Sequence, residues 1–170
     1  MSKQGVQQPK QLNDLGTGAS NKARGLPPYV ERRANMAINI IDGSPNSDIL
    51  QGTEENDFIR GFGGIDILFG NAGNDILDGG ADNDALEGGE GNDILLGGLD
   101  SDTLEGGAGN DILLGGDGED VLQGQEGNDI LIGGERSDIF SFSGDFGNDT
   151  ITDYDDNQDG ISFAGADNVT

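Results

Sequence analysis

From Gly43 to Ser141 the chain repeats one nine-residue unit eleven times without a gap. The middle copies show it plainly: Gly88-Gly-Glu-Gly-Asn-Asp-Ile-Leu-Leu96, then Gly106-Gly-Ala-Gly-Asn-Asp-Ile-Leu-Leu114. The first position is Gly and the sixth is Asp in every copy. The eighth is always large and apolar, from Leu50 and Ile59 to Leu131 and Phe140. A short fixed period fixes the architecture, because each unit can bury its apolar side only against its neighbours.

Each copy reads as six residues of turn followed by three of strand. Glycines at positions 1, 2 and 4 allow positive φ or close backbone approach. Asn46, Asp82 and Asp100 at position 4 tolerate left-handed geometry, whereas Glu55 and Arg136 tolerate it poorly, so their loops are expected to deviate. Positions 7 to 9 alternate out, in, out, with position 8 inward. A three-residue strand is too short for a hairpin sheet, so the copies are expected to stack as parallel strands in a coil. Ala37–Ile41 is apolar and β-branched and reads as an N-terminal capping strand, within a cap of residues 37–42. After Phe140 the period fails. Residues 142–170 read as a C-terminal cap with short strands at Asp149–Tyr154 and Gly160–Phe163.

Charge is the next constraint. Residues 1–36 hold six of the eight basic residues and only two acids, and read as a disordered basic leader. The remainder carries 31 acidic and two basic residues. Such a body repels nucleic acid and anionic membrane and attracts cations. No apolar run approaches a membrane span. Met1–Lys10 lacks the apolar segment of a Sec-type signal. With no Cys and no His, disulfides, thiolate metal sites and His-based catalytic triads are excluded.

If successive turns stack at about 4.8 Å, like-placed aspartates face one another at that spacing. Each such pair costs about 3 to 4 kcal/mol at an effective dielectric near 20. A hard divalent cation between the loops removes this obstacle. Carboxylates and backbone carbonyls form the oxygen-only ligand set that suits Ca2+ better than Mg2+. The ligand candidates are Asp57, Asp66, Asp75, Asp84, Asp93, Asp102, Asp111, Asp120, Asp129 and Asp138, with the loop carbonyls of Gly89, Gly91, Gly107 and Gly109. The structural alternative is that these aspartates only hydrogen-bond their own turns. Asn would serve that purpose equally well, yet it never replaces Asp at position 6. Asp155-Asp-Asn-Gln-Asp-Gly160 matches the first half of an EF-hand loop, but its twelfth position is Ala166 rather than Glu, so it reads as an acidic turn. Asn148-Asp-Thr150 and Asn168-Val-Thr170 match glycosylation acceptors, a triplet that also arises by chance.

The copies resemble the Gly-Gly-x-Gly-x-Asp-x-Leu-x nonapeptide of the RTX proteins over residues 43–141, and residues 138–163 resemble the segment that follows the roll in that family. The resemblance implies an all-β fold, a right-handed parallel β-roll with two nonapeptides per turn and calcium between loops 18 residues apart. One edge would then hold Asp48, Asp66, Asp84, Asp102, Asp120 and Asp138, the other Asp57, Asp75, Asp93, Asp111 and Asp129, with up to nine ions. Copies one, two and eleven depart from the loop pattern. Even copies would form one sheet, whose outward Ile94, Leu96, Ile112, Leu114, Ile130 and Ile132 make a continuous apolar patch. A homodimer or a missing adjacent domain is expected there, unless the chain's own ends fold over it.

Functionally, the first reading is a non-enzymatic calcium-binding β-roll that folds on meeting extracellular calcium, with secretion by a type I exporter implied by the resemblance. The second is a carbohydrate-binding module of a secreted enzyme, against which stand the absence of Trp and the presence of only Tyr29 and Tyr154. The third is an enzyme with paired carboxylates, for which no separate acid/base pair is evident.

Overall fold

The computed structural model describes residues 38–164, which form fourteen strands and no helix. The leader expected at residues 1–36 lies outside the described residues, as do residues 165–170. Sheet I consists, in spatial order, of β1 (Asn39–Asp42), β3 (Asp57–Arg60), β5 (Ile76–Gly80), β7 (Ile94–Leu99), β9 (Ile112–Asp117), β11 (Ile130–Glu135) and β13 (Thr150–Ile151). Sheet II consists of β2 (Ile49–Gln51), β4 (Ile67–Ala72), β6 (Ala85–Glu90), β8 (Thr103–Ala108), β10 (Val121–Glu126), β12 (Ile139–Ser143) and β14 (Gly160–Ala164). Successive strands alternate between the sheets and every pairing is parallel, so two copies make one turn of a β-solenoid of about seven turns. The register advances by one turn per two copies, as in Ile94↔Ile112 and Ile112↔Ile130.

The strands are longer than the three residues expected. In the middle of the array they run for six, taking positions 7 to 9 of one copy and positions 1 to 3 of the next. Glycine has low strand propensity, so this second half reads as turn in the sequence. It is held by the ladder all the same, with Gly98↔Gly116 and Leu99↔Asp117 in register. Burial alternates along the whole strand, so position 1 points inward as position 8 does.

The core is a single cluster of position-8 side chains from both sheets, joined by Phe142. Leu68, Leu77, Leu95, Leu104, Leu113, Leu122, Leu131 and Phe140 are fully buried, as is Ile59. Each contributes about 2 kcal/mol of apolar burial. At the N-terminal end the first strand is Asn39–Asp42, with Ile41 paired to Ile59 and packed against the core. Arg60 ties this strand down: its guanidinium bonds the Asp42 carboxylate at 2.8 Å and lies 5.1 Å from the ring centroids of both Phe58 and Phe62. At the other end Phe142, Phe146 and Phe163 form an aromatic cluster with centroids 5.4–6.3 Å apart.

Candidate metal centre

Asp at position 6 ends each loop, directly before the strand that starts at position 7 in all copies but the second. The structure sets the expected aspartates in two rows, and those from Asp57 to Asp138 are buried. In each row one oxygen, Oδ1, accepts the backbone N–H of the aspartate one turn earlier. The bonds run from Asp48 N to Asp66 Oδ1 at 2.7 Å through to Asp120 N to Asp138 Oδ1 at 2.9 Å. In the array's centre Asp93 N meets Asp111 Oδ1 at 2.8 Å. From Asp66 to Asp138 the carboxylates therefore clamp neighbouring turns, rather than their own loops as the structural alternative supposes; Asp48 and Asp57 do bond their own loops.

The second oxygen has no partner. Oδ2 of Asp66, Asp75, Asp84, Asp93, Asp102, Asp111, Asp120, Asp129 and Asp138 is buried without a hydrogen bond. A buried carboxylate oxygen left unpaired is costly. Glycine at position 1 shows what surrounds it. From Gly61 to Gly115, a Cβ added at position 1 would lie within 2.8 Å of both the same copy's Oδ2 and the carbonyl oxygen of position 1 in the next turn. Gly88 illustrates it, with Asp93 Oδ2 and Gly106 O each at 2.5 Å. Both oxygens crowd the glycine Cα, so position 1 admits no side chain. A buried, unpaired carboxylate oxygen in every copy from Asp66 to Asp138 is the kind of donor that a hard cation takes up, and the residues present fit calcium on this ground.

The carbonyls expected as ligands from the sequence are those of positions 2 and 4. Gly89 and Gly107 lie in β6 and β8, in register with each other. Gly91 and Gly109 lie in loops with positive φ, the Gly91 carbonyl set against the Gly109 Cα, where no side chain fits. Among the described residues no group of three acidic side chains is placed to hold a metal ion, so side chains alone do not complete a site.

The atypical copies divide in two. Copies one and two deviate as expected. There Ser44 donates its N–H (2.7 Å) and hydroxyl (2.8 Å) to Asp48 Oδ2, and Thr53 does the same for Asp57 Oδ2 at 2.5 and 3.0 Å. Of the Asp57 carboxylate only Oδ1 stays unpaired. Copy eleven does not deviate in this way: Arg136 adopts φ +90°, as glycine does in other copies, and Asp138 Oδ2 stays free.

Burial drives the carboxyls upward in pKa. It pushes Asp102 and Asp111 up to about 7, and Asp75, Asp84 and Asp120 up to about 6, against the opposing hydrogen bond from the preceding turn's amide. Row neighbours raise them further, as Asp93 and Asp129 do for Asp111. Asp66, Asp93, Asp129 and Asp138 are also raised. Burial thus disfavours the ionised form of these carboxyls unless a positive charge lies nearby.

Residues 42–140 are matched, in overlapping placements from 42–77 to 105–140, by the model of the RTX calcium-binding nonapeptide repeat. The chain belongs to the RTX calcium-binding repeat family. No curated protein shows a significant match to it. The RTX chain is therefore a calcium-binding β-roll module, and its buried aspartate rows lie within the matched repeats. Its other sequence motifs are occupied locally. The acidic turn at 155–160 caps itself, with the Asp155 carboxylate accepting from Asn157 N at 3.0 Å and Gln158 Nε2 at 3.0 Å. Tyr154 packs on Phe140, 6.3 Å between centroids, and Tyr29 lies outside the described residues. No helix among the described residues is long and apolar enough to cross a membrane.

Proposed function

We propose that this chain is a non-enzymatic, calcium-gated folding module of a secreted protein. The carrying observation is the two rows of buried, unpaired Oδ2 atoms from Asp66 to Asp138. Asp66, Asp75, Asp84, Asp93, Asp102, Asp111, Asp120, Asp129 and Asp138 would supply carboxylate oxygen, and loop glycines such as Gly89, Gly91, Gly107 and Gly109 carbonyl oxygen. Bound calcium supplies the positive charge that lets these carboxylates be buried ionised. Four gaps in the Asp66–Asp138 row and three in the Asp75–Asp129 row have free Oδ2 atoms on both sides, which supports seven ions inside the repeats. The gaps opening on Asp48 and Asp57 are closed by Ser44 and Thr53.

Low cytosolic calcium keeps such a chain unfolded, fit for a type I exporter, and millimolar external calcium folds it. The outer face of sheet I, with Ile94, Leu96, Ile112, Leu114 and Ile132 half-buried and Ile130 exposed, is the surface proposed for a second copy. Circular dichroism during a calcium titration tests the function. The β signal is expected to rise cooperatively near 10⁻⁴ to 10⁻³ M, on the order of extracellular-type affinities. A full β spectrum in excess chelator at neutral pH refutes gating.

A further inference from the structure

The repeat match ends at residue 140, yet the amide-to-carboxylate bonding of the Asp57–Asp129 row continues past it, while at position 1 a Cβ on Gly144 would meet nothing within 4 Å, unlike the earlier glycines there. Gly144-Asp-Phe-Gly-Asn-Asp-Thr-Ile-Thr152 is a twelfth nonapeptide, displaced by the two residues Phe142 and Ser143. β13 pairs in parallel with β11 through Ile130↔Thr150 and Leu131↔Ile151. Asp129 N donates to Asp149 Oδ1 at 2.9 Å, the bond that every repeat in the rows makes. Asn148 joins the asparagine ladder of its edge, donating N–H and Nδ2 to Asn128 Oδ1 at 3.2 Å, as Asn128 does to Asn110 at 3.0 and 3.1 Å. Gly147 takes a positive φ and packs its Cα on the Gly127 carbonyl, as Gly127 does on that of Gly109. Both Asp129 Oδ2 and Asp149 Oδ2 are buried and unpaired, and Asp129 is 1% exposed.

The opposite edge ends differently. Asp138 N donates to Asp159 Oδ1 at 3.0 Å, but Asp159 Oδ2 already accepts Asp155 N at 2.8 Å. Asp153 fills the neighbouring space with its carboxylate on Gly133 N and Gly134 N, at 3.1 and 2.9 Å. That edge closes without a free oxygen on its last aspartate.

Resting on the calcium reading above, we propose an eighth calcium site outside the recognised repeats, between Asp129 and Asp149, with no counterpart between Asp138 and Asp159. The ion fastens the C-terminal turn to the roll. The test is the number of ions bound by the full chain at saturating calcium, by equilibrium dialysis, for wild type, Asp149→Asn and Asp159→Asn. Asp149→Asn is expected to bind one ion fewer and Asp159→Asn the wild-type number. An unchanged count for Asp149→Asn, or an equal loss for both, overturns the site alone; a wild type that binds no calcium overturns the calcium reading itself. Amide hydrogen exchange on the wild type serves as well if Asp149→Asn does not fold. Residues 148–152 are expected to gain protection with calcium together with the repeats, and rapid exchange there at saturation overturns the proposal.

Discussion

Position 6 carries two tasks on one side chain. Oδ1 clamps the previous turn, and Oδ2 remains for a ligand. Removing Asp111 by Asp111→Ala strands the Asp93 amide as well as the proposed metal ligand. It is expected to cost about 1–3 kcal/mol from the unpaired amide alone and to raise the calcium midpoint of folding measured by circular dichroism. Asp48→Ala, at a carboxylate already capped by Ser44, is expected to leave that midpoint near wild type. Glycine position matters equally. Gly106→Ala puts a methyl against Asp111 Oδ2 and the Gly124 carbonyl and is expected to prevent folding of the central turns, whereas Gly63→Ala, with only the Ala81 carbonyl at 3.9 Å, is expected to be neutral within about 1 kcal/mol. Protonation offers a second route to neutralising the rows. Carboxyls held above their ordinary value of 3.8 bind protons in the folded chain that the unfolded chain releases. That contribution is fully present below about pH 4 and is lost as pH rises through 6 to 7, where these groups titrate. The calcium-free chain is therefore expected to gain β signal when acidified from pH 7 to 4, while calcium affinity falls over the same range.

At the scale of strands and loops, the inward position 8 and the parallel coil were legible because apolar residues recur at a fixed phase. The length of the strands was not, because glycine at positions 1 and 2 hides backbone pairing that neighbouring turns impose. Phe142–Ser143 broke the nine-residue phase and concealed the copy at 144–152, although Asn148-Asp-Thr-Ile-Thr152 preserves positions 5 to 9. Searching for the loop motif without demanding a fixed phase finds it. The different behaviour of Glu55 and Arg136, which sequence treats alike, depends on neighbours: Thr53 caps Asp57 in one loop, and no such residue precedes Asp138 in the other. The N-terminal strand β1 depends on Arg60. Arg60→Ala removes the Asp42 pair and both ring contacts, so amides of Ile40 to Asp42 are expected to exchange faster with the rest of the calcium-loaded roll unchanged.

For the whole molecule, the proposed sites would make each ion a link between turns, so folding and calcium loading are expected to share one cooperative equilibrium. The apolar face of sheet I belongs to this scale as well. If a second copy covers it, Leu96→Glu with Leu114→Glu converts a calcium-loaded dimer to monomer in sedimentation; unchanged mass and stability exclude that association. The most direct measurement of the central claim is small-angle X-ray scattering at neutral pH, in excess chelator and at saturating calcium. The predicted result is an expanded chain with a radius of gyration near the unfolded value of roughly 40 Å, contracting to about half of that as calcium is added. A compact roll of the same dimensions in chelator would contradict it.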